Sequence, residues 1–296
     1  MIAKKLSKYA DRIFFLLSDT HGGHKLGLMR KGVKLEEEDV DGNMIPWTPR
    51  PNAVQNRLDG YLMEDLDYVV KLADGRPISG VHNGDPTQGN KYPREWVSTR
   101  LYDQIAIAYN NLEPIYHMPN LQDFSFVLGT GSHEFGEGSS SYLLKMLFNK
   151  EYPDIQTDAV NQYLMDINGC VFDLAHHGPI PGGRRWLEGN GLRWYMNDIQ
   201  QRDLDLGNAP PDWVVRSHYH TVARTASHYR KGTQIYTTEG VMSPGYTGMD
   251  AYGRQATRSK WEVHVGLLAW EISASGMSRL HTKFRILDLR TRKVIT

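Results

Sequence analysis

Short uninterrupted apolar runs alternate with amphipathic stretches along most of this chain. Residues 13–17 are the first run, ending at Ser18-Asp19, and five apolar residues in a row fit a parallel strand buried on both faces. Val54, Leu58, Tyr61, Leu62, Val69 and Ala73 then recur at helical spacing, as do Val97, Leu101, Ile105, Ala108 and Leu112. Two amphipathic helices therefore flank a short strand at 78–83. The same reading predicts a strand at 124–128, a helix at 142–148, a strand at 171–175, a helix at 192–199 and a strand at 213–216. Strand-helix alternation of this kind implies βαβ units and a largely parallel sheet.

Two segments break the rhythm. Residues 22–51 are rich in Gly, Lys, Glu and Pro and match no regular element, which predicts a long inserted loop near the first strand end. From about 221 to 296, strand-like stretches at 234–238, 263–272 and 283–289 follow without helices between them, which predicts a second, more antiparallel sheet. The expected architecture is α/β, a two-sheet sandwich flanked by helices. No repeat, low-complexity tract or linker divides the chain, so 1–296 is expected to form one domain.

Composition narrows the function classes. The 296 residues carry 34 Lys plus Arg against 34 Asp plus Glu, so no whole-protein field attracts duplex nucleic acid or an anionic membrane. One cysteine, Cys170, rules out an intrachain disulfide and suits a reducing cytoplasm. Lys4-Lys5 ahead of 13–17 imitates a signal peptide, but the apolar run is too short. Nowhere do the roughly 18 consecutive apolar residues of a membrane span occur.

The chemistry concentrates just past the apolar runs. Asp19-Thr20-His21, Gly84-Asp85, Gly131-Ser132-His133-Glu134, His176-His177-Gly178 and His218-Tyr219-His220 each follow one. Loops at the carboxyl ends of strands in an α/β sheet converge on one crevice. Residues i and i+2 of an extended strand share a side, which would aim Asp19 and His21 at one ion. Asp85, behind a glycine, could bridge two ions with its two oxygens. Mixed His/Asp ligation suits Mn²⁺, Fe²⁺, Zn²⁺ or Ni²⁺ better than Mg²⁺ or Ca²⁺. Two such ions about 3.5–4 Å apart could clamp a phosphoryl group and acidify a water.

The order D-x-H, G-D, G-x-H-E, H-H-G-P and H-x-H resembles the calcineurin-like metallophosphoesterases over residues 13 to about 225. The resemblance implies that fold and two divalent transition-metal ions, Mn²⁺ foremost. One ion would take Asp19, His21, Asp85 and His220, and the other Asp85, His176 and His218, with Asp85 shared in the catalytic centre. His133 matches the histidine that assists the leaving group. The sequence departs from the family at Ser132, which occupies the slot of an asparagine ligand. Three readings follow: a weakened second site, ligation through Ser132 or water, or a neighbour such as Thr130. Ser217 likewise replaces a glycine. His177 is the alternative to His176, and His24, Arg184 and Arg185 are candidates for substrate contact. The implied activity is hydrolysis of a nucleotide or nucleic-acid phosphodiester by metal-bound hydroxide. Its rivals are a DNA or RNA nuclease of the same family and a catalytically degenerate scaffold that binds protein.

Overall fold

Phe14 and Leu16 point one way from the first strand and Ile13, Phe15 and Leu17 the other, and all five are fully buried. Burial on both faces is why this strand reads as an unbroken apolar run. The computed structural model describes residues 11–91, 96–98, 100–182, 187–249 and 261–294. In chain order the elements are β1 (Arg12–Leu17), β2 (Leu35–Glu38), β3 (Met44–Trp47), α1 (Ala53–Ala73), β4 (Ile78–Asn83), α2 (Leu101–Tyr116), β5 (Leu121–Val127) and α3 (Ser139–Glu151). There follow β6 (Ala159–Val160), β7 (Gln162–Ile167), β8 (Cys170–Ala175), α4 (Asn190–Asp205), β9 (Trp213–Arg216), β10 (Ala223–Lys231), β11 (Gln234–Met242), β12 (Glu262–Ile272) and β13 (Ser278–Asp288). Among the described residues this is a mixed α/β fold of three sheets and four helices, and no helix is long and apolar enough to cross a membrane.

The first large sheet has the order β13-β12-β1-β4-β5-β6 and the second β10-β11-β9-β8-β7. β1, β4, β5 and β6 run parallel, as do β8, β9 and β11, so within each sheet several carboxyl ends share an edge. One apolar cluster joins Phe14, Leu16, Val81 and Val127 of the first sheet to Phe172, Leu174, Trp213 and Val215 of the second. The Phe14 and Phe172 rings meet at 4.9 Å, edge to face. The other face of β1 packs Phe15 and Leu17 against Leu58, Leu62 and Leu66 of α1 and Ile105 and Leu112 of α2. Packed at about 25 cal/mol per Å² of apolar surface, these two interfaces hold the strand ends in place.

The sequence-based outline differs from the fold in two places. The strands after residue 221 do not make a sheet of their own: β10 and β11 extend the second sheet beside β9, whereas β12 and β13 extend the first beside β1. Strand pairing is a long-range choice that local pattern does not encode. The 22–51 segment, expected to be an irregular loop, contains the β2–β3 hairpin. Its turn is made by Asp39, whose carboxylate accepts from the backbone N–H of Asp41 and Asn43, a local turn that Asp favours. Leu35 anchors it, buried with Met29, Val33 and Ile107.

The start of α1 also serves the crevice. Asn52 and Gln55 form a capping box, each side chain bonded to the other's backbone N–H, which satisfies helix-end donors. Gln55 then donates through Nε2 to the His24 carbonyl at 3.2 Å, tying the helix to the loop after β1.

Candidate metal centre

The backbone turns sharply at the strand ends. Asp19, His21, Asp85, His218 and His220 have φ between 44° and 72°, the left-handed region that side chains other than Gly rarely enter. They are five of the nine described non-glycine residues with positive φ. Asp19 and His21 therefore lie in a coiled turn, and the strand rule expected to align them does not apply. Asp19 N–H donates to the Gly84 carbonyl at 3.0 Å and His21 N–H to that of Asp85 at 3.1 Å, so the loops after β1 and β4 are laced together. Across the sheets, Asn83 Nδ2 donates to Ser217 Oγ at 2.7 Å and to the Ala175 carbonyl at 3.0 Å. Ser217 is thus the link between β4 and the H-x-H loop.

This lacing gathers the candidate ligands. Donor atoms of Asp19, His21 and His220, of His21, Asp85 and His133, and of Asp85, His176 and His218 form three overlapping groups, each within 4.8 Å. His220 Nε2 is 3.0 Å from Asp19 Oδ1, and His21 Nε2 is 3.8 Å from that oxygen and 4.0 Å from Asp85 Oδ2. His176 Nε2 is 3.1 Å from Asp85 Oδ2, outside hydrogen-bonding geometry. Asp19, Asp85 and His176 are at most 1% exposed.

Outer contacts orient the rings. His21 Nδ1 lies 3.0 Å from Gln88 Oε1, and His176 Nδ1 donates to the Asn83 carbonyl at 2.7 Å. Both Nε2 atoms are then turned inward, buried and without a hydrogen bond, the tautomer and orientation that metal-binding imidazoles adopt. Two buried carboxylates whose ion-pair partners among the described residues are histidines only make a costly arrangement that a cation relieves. The donor set thus fits divalent metal.

Burial opposes charge at both carboxylates and at the histidines named next. At Asp19 the charges on His220 and His176 outweigh it and hold the carboxyl well below the usual carboxylate range, and at Asp85 His176 does the same. In return Asp85 and Asp19 raise His176 to about 10 and also raise His21, through a contact from Asp19 foremost. Burial, with His176 nearby, takes His218 down to about 4 and lowers His177. Burial and the charge on His21 lower His133 and bring His24 to about 3.

The remaining candidates fall at different distances from the cluster. His133 Nδ1 donates to the Gln88 carbonyl at 2.7 Å, and its ring stands perpendicular to His21 at 4.7 Å. Thr130 lies over Asp85, its N–H 2.6 Å from Oδ1 and its hydroxyl 3.2 Å from Oδ2. His177 is exposed, with Nε2 3.4 Å from Thr130 Oγ1. The Ser132 carbonyl packs against Gly89. His24 is buried, and its Nδ1 accepts from Leu26 N–H at 3.2 Å. Arg184 and Arg185 lie outside the described residues. Glu134 accepts from Gly129 N–H and from Ser141 N–H, so it braces the loop and the first turn of α3.

Sequence reasoning missed three contributors. Gln88 serves both His21 and His133, and Asn83 joins the two sheets. Arg216, fully buried at the end of β9, donates to both Asp173 carboxylate oxygens at 3.1 Å and to the Asp173 carbonyl at 2.8 Å. An arginine closing an otherwise apolar Trp213–Arg216 run was the visible signal for the last.

No family model and no curated protein matches this chain. Among solved structures it is similar to the protein of unknown function AQ665 from Aquifex aeolicus, with 13% identity, 75% of this chain and 82% of that one covered, and a TM-score of 0.30. It is also similar to the sulfate thiohydrolase SoxB of Thermus thermophilus, solved with glycerol, with 12% identity over 96% of this chain and 58% of that one, and a TM-score of 0.37.

Proposed function

We propose that this chain is a metal-dependent phosphoesterase whose preferred substrates are phosphodiesters of the nucleotide or nucleic-acid kind. One observation carries the reading: Asp and His donor atoms from the loops after β1, β4, β8 and β9 converge in overlapping groups, with the buried Nε2 atoms of His21 and His176 left unpaired. In this reading Asp19, His21, Asp85 and His220 hold one ion, and Asp85, His176 and His218 hold a second. Divalent transition ions, Mn²⁺ foremost, supply Lewis-acid charge to phosphoryl oxygens and lower the pKa of water toward neutrality.

The chain's own groups do the rest. The carbonyls of Asn83 and Gln88 fix which nitrogen of His176 and of His133 carries its proton. His133 then presents Nε2 beside His21, where it handles a proton at the leaving oxygen. The preference for diesters follows from the motif resemblance, as do a two-sheet sandwich of calcineurin-like type and one catalytic domain over 1–296. The single cysteine supports a reducing compartment such as the cytoplasm.

The test is metal content of the purified protein by elemental analysis, paired with hydrolysis of bis-p-nitrophenyl phosphate and p-nitrophenyl phosphate with added Mn²⁺. Bound metal with faster diester turnover is the expected result. Absence of metal uptake and of turnover on both substrates would overturn the proposal.

A further inference from the structure

Beside Asp85 and His218 of the second group of donors stands an oxygen that the motif does not account for. Thr130 Oγ1 lies 3.2 Å from Asp85 Oδ2, 3.4 Å from His218 Nδ1 and 3.4 Å from His177 Nε2. The spacings to Asp85 and His218 are long for hydrogen bonds of a hydroxyl, whose usual donor–acceptor distance is about 2.7–2.8 Å. They match the edges of a coordination polyhedron: ligands at about 2.1 Å from an ion stand roughly 3.0 Å apart when octahedral and 3.4 Å when tetrahedral. The 3.1 Å between His176 Nε2 and Asp85 Oδ2 belongs to the same set.

We infer that Thr130 Oγ1, not Ser132, is the remaining protein ligand of the second ion, an assignment that rests on the metal-centre reading above. Thr130 is held there by its own backbone, whose N–H donates to Asp85 Oδ1 at 2.6 Å. A glycine must precede it: a Cβ at Gly129 would stand 2.2 Å from Asp85 Oδ1. The hydroxyl keeps its hydrogen when its oxygen lone pair is given to an ion, and His177 Nε2 on the open side is the acceptor for it. Among the described residues no hydrogen bond joins the Ser132 hydroxyl to the cluster, whereas the Thr130 hydroxyl stands within 3.4 Å of both Asp85 and His218.

Calorimetric titration with Mn²⁺, together with the spin-coupled Mn²⁺ electron paramagnetic resonance signal of an ion pair, tests this without any turnover assay. The native chain, Ser132→Ala and Thr130→Ser are expected to take up two ions and show the coupled signal. Thr130→Val keeps the first ion, weakens the second by at least about tenfold and loses the coupled signal. Thr130→Ala removes the same oxygen with less bulk at the branch and decides the matter if valine is not accommodated. Undiminished second-ion affinity in Thr130→Val or Thr130→Ala, or its loss in Ser132→Ala, overturns the assignment and leaves the metal centre standing. No ion in the native chain overturns both.

Discussion

Left-handed backbone at five candidate ligands costs on the order of 1–3 kcal/mol each, and the surrounding hydrogen bonds must hold it there. Asp and His tolerate that region better than branched residues do, so the residue types needed for ligation are also those that fit the turns. Asp85→Asn preserves shape and turn propensity while removing the bridging charge. It is expected to abolish bound metal by elemental analysis and diester hydrolysis together; full activity in this variant would exclude the proposed function. His133→Asn should keep the metal and lower turnover by about 10²–10⁴-fold, seen as a fall in kcat at unchanged metal stoichiometry. At this scale the sequence revealed which side chains belong to the cluster, because His and Asp past apolar runs are conspicuous. It did not reveal how Asp19 and His21 are aimed, because φ +52° and +44° are set by hydrogen bonds to a loop some 65 residues away in the chain.

Strand ends deliver the ligands, and the elements behind them explain why the positions are rigid. Gly84, at φ +93°, lets β4 pass so close to β8 that an added Cβ would lie 2.2 Å from His176 Nδ1. Gly84→Ala is therefore expected to displace the imidazole and break its bond to the Asn83 carbonyl, lowering both Tm and second-ion affinity. Calorimetric Mn²⁺ titration beside thermal unfolding checks this, and a variant with native values in both would show the crevice to be soft. Beneath the H-x-H loop the buried Arg216 guanidinium is held by both Asp173 carboxylate oxygens, so Asp173→Ala strands a guanidinium and should cost about 3–5 kcal/mol in urea unfolding. Parallel strands such as β1, with its unbroken apolar run from Ile13 to Leu17, were legible in the sequence. β10 was not, since its polar positions leave no apolar run to see, β7 offers only the three apolar residues 163–165, and the four-residue strands of the hairpin are too short to show a period.

Over the whole molecule, chain ends and site are not separable. β12 pairs with β1, and both β12 and Tyr246 ahead of it reach into the crevice: Tyr246 N–H donates to the Asp19 carbonyl at 3.1 Å, and His264 N–H of β12 to that of His220 at 3.0 Å. Tyr246 continues outward, its hydroxyl donating to Asp65 of α1 at 2.7 Å, and Arg285 of β13 binds the same carboxylate. Ligands near residues 19 and 220 are thus braced by strands at the far end of the sequence, a long-range closure that local pattern could not foretell. Occupancy of the crevice must then report on global unfolding. Any ligand that binds only the folded chain stabilises it by RT ln(1 + [L]/Kd), about 2.7 kcal/mol at one hundred times Kd. Mn²⁺ is accordingly expected to raise Tm of the metal-stripped chain and a chelator to reverse the rise, with a single transition throughout. The Asp85→Asn chain should unfold at one temperature with or without Mn²⁺, because the carboxylate that joins both proposed ion sites is gone. An equal Mn²⁺-induced rise in native and variant chains would mean that the ion binds elsewhere, and the crevice would lose its claim to be the metal centre.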